Sequence, residues 1–164
     1  MKIPALVLAS LTISATVTAA EMPRLSLWIT DSVGAGNGAE CDLSKDSAAR
    51  SRVPLKPPTL TEDDVAAWNP DTALWTLNPV RVSRSDGSQK LIDHCFVLAI
   101  EGKVISSGIV LSSYSARLVR FPTINVFTRQ DAVDLQLTLG KSAIQGRPIH
   151  VNALDAVLRQ SAKP

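Results

Sequence analysis

The sequence predicts an α+β domain in which one mainly antiparallel sheet packs on two to three short helices. Three observations lead to this fold class. Stretches of alternating apolar residues recur along the chain, as they do in half-buried strands. Residues 98–108, LAIEGKVISSG, read as two strands joined by a tight turn. Near the end, Leu154, Val157 and Leu158 form an apolar stripe at helical spacing.

The first twenty residues, MKIPALVLASLTISATVTAA, have the features of a cleavable secretory signal. Lys2 precedes an apolar stretch that ends in small residues, with Thr18 and Ala20 at the −3 and −1 positions of a cleavage site. The competing interpretation is a transmembrane anchor, which needs about 20 strongly apolar residues. Pro4 and several serines and threonines interrupt this stretch. We therefore expect cleavage after Ala20 and a periplasmic or secreted product without a membrane span.

Length and charge indicate one folded domain that has no nucleic-acid partner. We expect a signal peptide at 1–20, an N-terminal strand and Gly/Pro-containing arm at 21–59, and an α+β domain at 60–164. The formal net charge of the 164 residues is +2. A nucleic-acid-binding protein usually carries a pronounced basic patch, and the short runs of arginine in this chain are diluted by polar residues.

The two cysteines, Cys41 and Cys95, predict a disulfide bond, because an exported chain folds in an oxidising compartment. The alternative is a reactive thiol with a partner base. His94 adjoins Cys95, but neighbours on an extended strand point to opposite faces. The disulfide would attach the arm at 31–59 to the body of the domain, and an irregular segment of this length is otherwise costly to order.

The first elements are a strand and a short helix. Residues 23–30, PRLSLWIT, alternate apolar and polar positions as a strand does. After the proline-bearing end of the arm, Thr61 can cap a helix whose third residue is Asp64, a spacing similar to a capping box. Asn69 and Pro70 would stop this helix directly after Trp68.

The middle of the chain is rich in strand-forming residues. Residues 72–82 predict a strand, and residues 83–89 predict a polar turn. The hairpin follows, with strands at 95–100 and 103–111, and a further strand is expected at 123–127.

The last part of the chain begins with an ambiguous segment. In residues 128–140, Leu135 and Leu137 alternate as in a strand, yet Ala132 and Leu135 also fit a helical face that Gly140 could end. The final element is clearer. We expect a helix that Asn152 caps and that buries the stripe beginning at Leu154.

The sequence shows no catalytic set. The segment GAGNGAEC lacks the Lys-Ser/Thr ending of a phosphate-binding loop. His94 and His150 are the two histidines, and neither belongs to a hydrolase motif. Consecutive Asp93, His94 and Cys95 cannot all point one way from an extended chain, so we expect no metal site and no cofactor. A small periplasmic hydrolase that uses His94 or His150 is retained as an alternative.

The hairpin resembles a known family. Residues 98–107, LAIEGKVISS, look like the "aI-x-LDGkVISAP" segment in the periplasmic domain of SecD, a subunit of the protein-export machinery. The resemblance covers about residues 95–140, although the family's proline after this segment is replaced here by Ser107-Gly108. It implies a ferredoxin-like sandwich and favours a helix at 129–139. It does not imply export activity.

These observations predict a non-catalytic binding module for a protein or peptide in the periplasm, including an inhibitor or immunity protein. A structural part of an envelope or secretion complex is a further alternative. Tyr and Arg are enriched at the centres of protein contacts, so Tyr114 is the expected aromatic anchor and Arg117 the polar one. The candidate contact residues are Ser106, Ser107, Ser112, Ser113, Tyr114, Arg117 and Trp68.

Overall fold

The computed structural model describes residues 23–33, 38–43, 53–80, 89–117, 119–129, 132–138 and 149–161. The expected signal peptide and the turn at 83–88 lie outside these ranges. The described strands are β1 (Leu25–Ser32), β2 (Leu60–Thr61), β3 (Val65–Asn69), β4 (Leu74–Leu77), β5 (His94–Ile100), β6 (Lys103–Ser112), β7 (Thr123–Thr128) and β8 (Val133–Thr138). One α-helix, α1 (Ile149–Ser161), and the short 3-10 helices Ala39–Cys41 and Glu62–Asp64 complete the described elements.

The strands form one eight-stranded sheet in the order β2-β1-β5-β6-β7-β8-β4-β3. All neighbouring pairs are antiparallel except β6 and β7, which are parallel. The two edge strands, β2 and β3, are separated in the chain only by the 3-10 turn Glu62–Asp64. Because so short a turn joins the two edges, the sheet curls until it nearly closes into a barrel-like shape.

The inner face of this curled sheet carries the main hydrophobic core. Helix α1 adds Leu154, Val157 and Leu158 to it, so the predicted apolar stripe is confirmed. Burying one such side chain stabilises a fold by about 1.5–3 kcal/mol. No helix in the described ranges is long and apolar enough to cross a membrane. The strand residues of the core include Leu25, Leu27, Trp75, Leu77, Phe96, Leu98, Val110, Ile124, Val126, Val133, Leu135 and Leu137.

The outer face of β1, β5 and β6 is covered by the arm. Cys41 and Cys95 form the predicted disulfide, which closes a sequence separation of 54 residues. The backbone N–H of Leu43 donates to Ser107 Oγ at 3.0 Å, and Trp28 Nε1 donates to the carbonyl oxygen of Lys56 at 2.8 Å. Two small apolar clusters fill the space beneath the arm. The disulfide therefore holds the arm against an apolar part of the sheet.

The hairpin is confirmed. β5 and β6 pair in antiparallel register from His94 with Val110 to Ile100 with Lys103. The turn residues Glu101 and Gly102 have positive φ angles of 49° and 74°. Positive φ at both central residues is typical of a type I′ turn, whose backbone twist matches the right-handed twist of the two flanking strands.

The predicted ferredoxin-like sandwich on two to three helices is wrong. Two of the segments expected to be helices form strands instead, and the sheet gains enough strands to curl around its own core. Helices then cover less of the sheet, because the strands of opposite walls bury one another's apolar side chains.

The first helix prediction fails after one turn. Thr61 and Asp64 do form the expected capping box, but the helix is the three-residue 3-10 turn Glu62–Asp64. Val65 then returns to an extended conformation, and Trp68 pairs with Trp75 across β3 and β4. Trp68 therefore lies on a strand and not at the end of a helix. Pairing with β4 outweighs the weak local preference of two alanines for a helix.

The helix that the SecD resemblance favoured at 129–139 is also wrong, because residues 133–138 form β8. Val133, Leu135 and Leu137 all face the core at a period of two, a pattern that only a strand can bury on one face. The expected cap at Asn152 is wrong as well, since α1 begins at Ile149 and places Asn152 inside the helix.

Candidate functional site

The outer face of β7, β8 and β4 carries an open groove of about 520 Å³. Side chains that alternate with the core residues of these strands point to this face. Ligand sites in proteins typically span about 300–1,000 Å³, so the groove has an appropriate size. Its lining residues are Thr72, Leu74, Ser113, Tyr114, Phe127, Thr128, Arg129, Asp134 and Gln136.

An ion pair between exposed Arg129 and buried Asp134 forms part of the groove. Asp134 is only 3% exposed. Its two carboxylate oxygens accept hydrogen bonds from Arg129, with Nη2 at 2.9 Å from Oδ1 and Nε at 2.6 Å from Oδ2. Thr76 Oγ1 donates to Oδ1 at 2.7 Å. The opposite charges of the two side chains cancel. The bidentate hydrogen bonding between the guanidinium and the carboxylate fixes the orientation of Arg129.

One wall of the groove is the turn between β3 and β4. Gln136 Nε2 donates to the carbonyl oxygen of Thr72 at 3.0 Å, which connects β8 to this turn. Asn69 Oδ1 accepts from the backbone N–H of Asp71 at 3.0 Å. Ala73 has a positive φ of 52°, a conformation that costs an L-residue about 1–2 kcal/mol. These side-chain bonds hold the turn in a shape that an isolated peptide would avoid.

The opposite wall is the beginning of the connection between β6 and β7. The backbone N–H of Ser113 donates to the carbonyl oxygen of Val126 at 3.1 Å, so this segment is fixed beside β7. Tyr114 follows, and this residue is 95% exposed. At this exposure the ring of Tyr114 is accessible to solvent at the rim of the groove.

The candidate contact residues predicted from the sequence do not form one surface. Ser113 and Tyr114 lie in the groove. The other five have different environments: Ser106 is buried, Ser107 accepts from Leu43, Ser112 accepts from the N–H of Tyr114, Arg117 pairs with Asp93 at 3.0 Å, and Trp68 donates to Asp155 at 2.9 Å.

The hydrolase alternative involves His94 and His150, and the structure describes the side chain of His94. His94 Nδ1 donates to the carbonyl oxygen of Ile92 at 2.8 Å, which is a bond within its own chain segment. His150 belongs to α1, and its side chain lies outside the described part of the protein. Among the described residues, no group of three or more His, Cys, Asp or Glu side chains could hold a metal ion.

Sequence reasoning missed Phe127, Arg129, Asp134 and Gln136. Arg129, Asp134 and Gln136 lie in the segment 128–140. If this segment were a helix, the three side chains would point in different directions around the helix axis. The signal that could have found Asp134 and Gln136 is their position between Val133, Leu135 and Leu137, because polar residues that alternate with core residues share the outer face of a strand.

The chain matches no family model, no curated protein and no solved structure. The resemblance to the SecD domain therefore stays a prediction from the hairpin residues.

The ion pair in the groove leads to a stability prediction. We expect Asp134→Asn to lower the free energy of unfolding by about 2 kcal/mol, since an amide would turn a donor toward Arg129 and weaken charged hydrogen bonds. Thr76→Val removes a single hydroxyl bond with little change in volume, and should cost about 1 kcal/mol. Urea denaturation followed by circular dichroism measures both. Equal losses in the two variants would contradict the central role given to Asp134.

Proposed function

We propose that this chain is a non-catalytic, exported binding module, and that the groove on β7, β8 and β4 receives a protein or peptide partner. The observation that carries the proposal is Tyr114, 95% exposed beside a groove of about 520 Å³. The arm covers the outer face of β1, β5 and β6, whereas the groove lies on the part of the outer face formed by the other strands.

The chemistry of the groove suits a polypeptide ligand. Leu74, Phe127 and Tyr114 supply apolar and aromatic contact area, and Gln136 and the neighbouring hydroxyl groups supply hydrogen-bonding capacity. The Arg129–Asp134 pair carries no net charge. Centres of protein interfaces share this combination, since they are depleted in net charge and enriched in tyrosine. A peptide presents apolar side chains and backbone amides in alternation, and can use both kinds of group.

The covalent structure supports an exported location. The Cys41–Cys95 disulfide is compatible with an oxidising compartment such as the periplasm. The signal peptide expected at 1–20 and its cleavage after Ala20 remain part of the proposal. Amino-terminal sequencing of protein recovered from the periplasmic fraction tests them, and a mature chain that begins at Glu21 is the expected result.

The binding proposal is tested with peptides selected from a random display library on the immobilised protein. We expect Tyr114→Ala to weaken their binding at least tenfold, because interface tyrosines often contribute 2 kcal/mol or more. Leu55→Ala is the matched control. Leu55 is also a fully exposed large apolar residue but lies on the arm, so its removal should leave the dissociation constant unchanged. Equal affinities of the two variants would remove the groove from consideration.

A further inference from the structure

The floor of the groove is built from rows of side chains that run across the strands. Phe127 of β7 lies directly opposite Asp134 of β8, and Thr76 of β4 pairs with Asp134 on its other side. In the neighbouring row, Gln136 pairs with Leu74. Residues directly opposite on one face of a sheet have Cβ atoms about 4.5–5.5 Å apart. The aromatic ring of Phe127 is therefore a close neighbour of the Asp134 carboxylate.

Arg129 places its guanidinium at the same end of the groove, because it bonds to the carboxylate beside Phe127. The bonds to Asp134 run from Nε and Nη2, which form one edge of the guanidinium plane. The Arg129 side chain nevertheless stays 61% exposed. Hydrogen bonds of a guanidinium lie in its plane, and its flat faces lie above and below them. Asp134 thus holds the guanidinium by an edge and fixes the direction of its faces.

This ion pair argues against a charged ligand. An incoming carboxylate or phosphate would find the edge formed by Nε and Nη2 occupied, and would meet the negative charge of Asp134 beside it. A cationic ligand has no better access, since Asp134 is 3% exposed and also accepts from Thr76 Oγ1 at 2.7 Å. A flat aromatic group can bind without breaking the pair, because guanidinium groups stack on aromatic rings.

We propose that the groove selects an aromatic side chain of the partner polypeptide, which stacks on the guanidinium of Arg129 and packs against Phe127 and Tyr114. Phe127 and Tyr114 both line the groove, and aromatic rings attract one another beyond the area that they bury. The inference rests on the proposed function, since it names the kind of side chain that the same groove receives. Arg129 is then the residue that determines specificity.

The probe is the peptide acetyl-Gly-Ser-Phe-Ser-Gly-amide, titrated into the isotopically labelled full chain. Its matched partner carries cyclohexylalanine in place of phenylalanine, a side chain of similar size and apolarity that has no aromatic face. We expect the phenylalanine peptide to bind about two- to fivefold more tightly, the range of stacking on an exposed cation. The ring current of phenylalanine should also move the Nε–Hε resonance of Arg129 upfield, and cyclohexylalanine should not.

Arg129→Lys tests whether the flat group is responsible. Lysine keeps a positive charge beside Asp134 but has no plane, so the preference for phenylalanine over cyclohexylalanine should shrink toward equal binding. This ratio compares two ligands on one protein, and a general loss of stability does not change it. Arg159→Lys is the matched control, because Arg159 is 64% exposed and pairs through Nε with Asp155 at 2.7 Å on helix α1. The control should leave the ratio unchanged.

The possible outcomes separate this inference from the proposed function. Equal affinities of the two peptides, or groove amides that shift while the Arg129 resonance stays in place, would overturn the aromatic preference alone. Peptides from the display library that map to the groove but share no aromatic residue would have the same meaning. Groove shifts with chitotriose and with neither peptide would overturn both, since an aromatic groove would then be stacking on a sugar ring.

Discussion

Replacing Gly108 by alanine is expected to abolish the native sheet or to destabilise it by about 4 kcal/mol or more, at the extreme of single substitutions. A Cβ atom at this position would lie 1.8 Å from the carbonyl oxygen of Pro122 and 2.7 Å from its carbonyl carbon. Both are backbone atoms, so no side-chain rotation can relieve the clash. The connection that returns to β7 would have to move away from β6, and with it the parallel β6–β7 pair.

Ser106→Ala is the control for this substitution, since it lies two residues away on the same strand. The Ser106 hydroxyl is buried and has no hydrogen-bond partner among the described groups. Removing it should leave stability unchanged or slightly raised, because an unsatisfied buried polar group is costly. Expression level and the denaturation midpoint measure both variants. A Gly108→Ala protein within about 1 kcal/mol of the native one would show that β6 and the connection do not approach this closely.

The double substitution Cys41→Ser with Cys95→Ser is expected to lower the free energy of unfolding by about 4 kcal/mol, the chain-entropy value for a loop of this length. The arm would also lose its covalent attachment to the outer face. Trp28, now 4% exposed, would become accessible where the Lys56 carbonyl and the arm cover it. Guanidinium denaturation monitored by tryptophan fluorescence measures both effects.

Reductant provides the specificity control for the disulfide. Dithiothreitol should destabilise the native protein to the level of the double variant and should leave the double variant unchanged. If the variant unfolds at the same denaturant concentration as the native protein, the bond does not stabilise the arm, and the contacts of Leu43 and Lys56 hold it alone.

The sequence predicts those elements whose pattern is local. The alternation of Leu25 and Leu27, the tight turn at Glu101-Gly102 and the stripe beginning at Leu154 each indicate one structure, and each is confirmed. The helix predictions fail where long-range pairing decides the outcome. The capping box at Thr61 is correct, yet Trp68 gains more from pairing with Trp75 than from continuing a helix.

The candidate groove was only partly predictable for a related reason. Tyr114 and Ser113 are conspicuous in the sequence, because they lie in a serine-rich connection between two strands. Asp134 becomes part of the groove only when β8 lies between β7 and β4, and the strand order is not encoded in any single segment. The contact in which the Glu62 carboxylate accepts the backbone N–H groups of Arg24 and Leu25 likewise joins residues far apart in the chain.

Mapping a selected peptide on the labelled protein shows whether this chain binds a polypeptide through the groove on β7, β8 and β4. We expect amide shifts to cluster at Leu74, Ser113, Tyr114, Phe127 and Gln136, and Tyr114→Ala to remove them. If the shifts cluster instead around His94, or on the arm near Leu55, while the groove amides stay unchanged, the groove is not the binding surface.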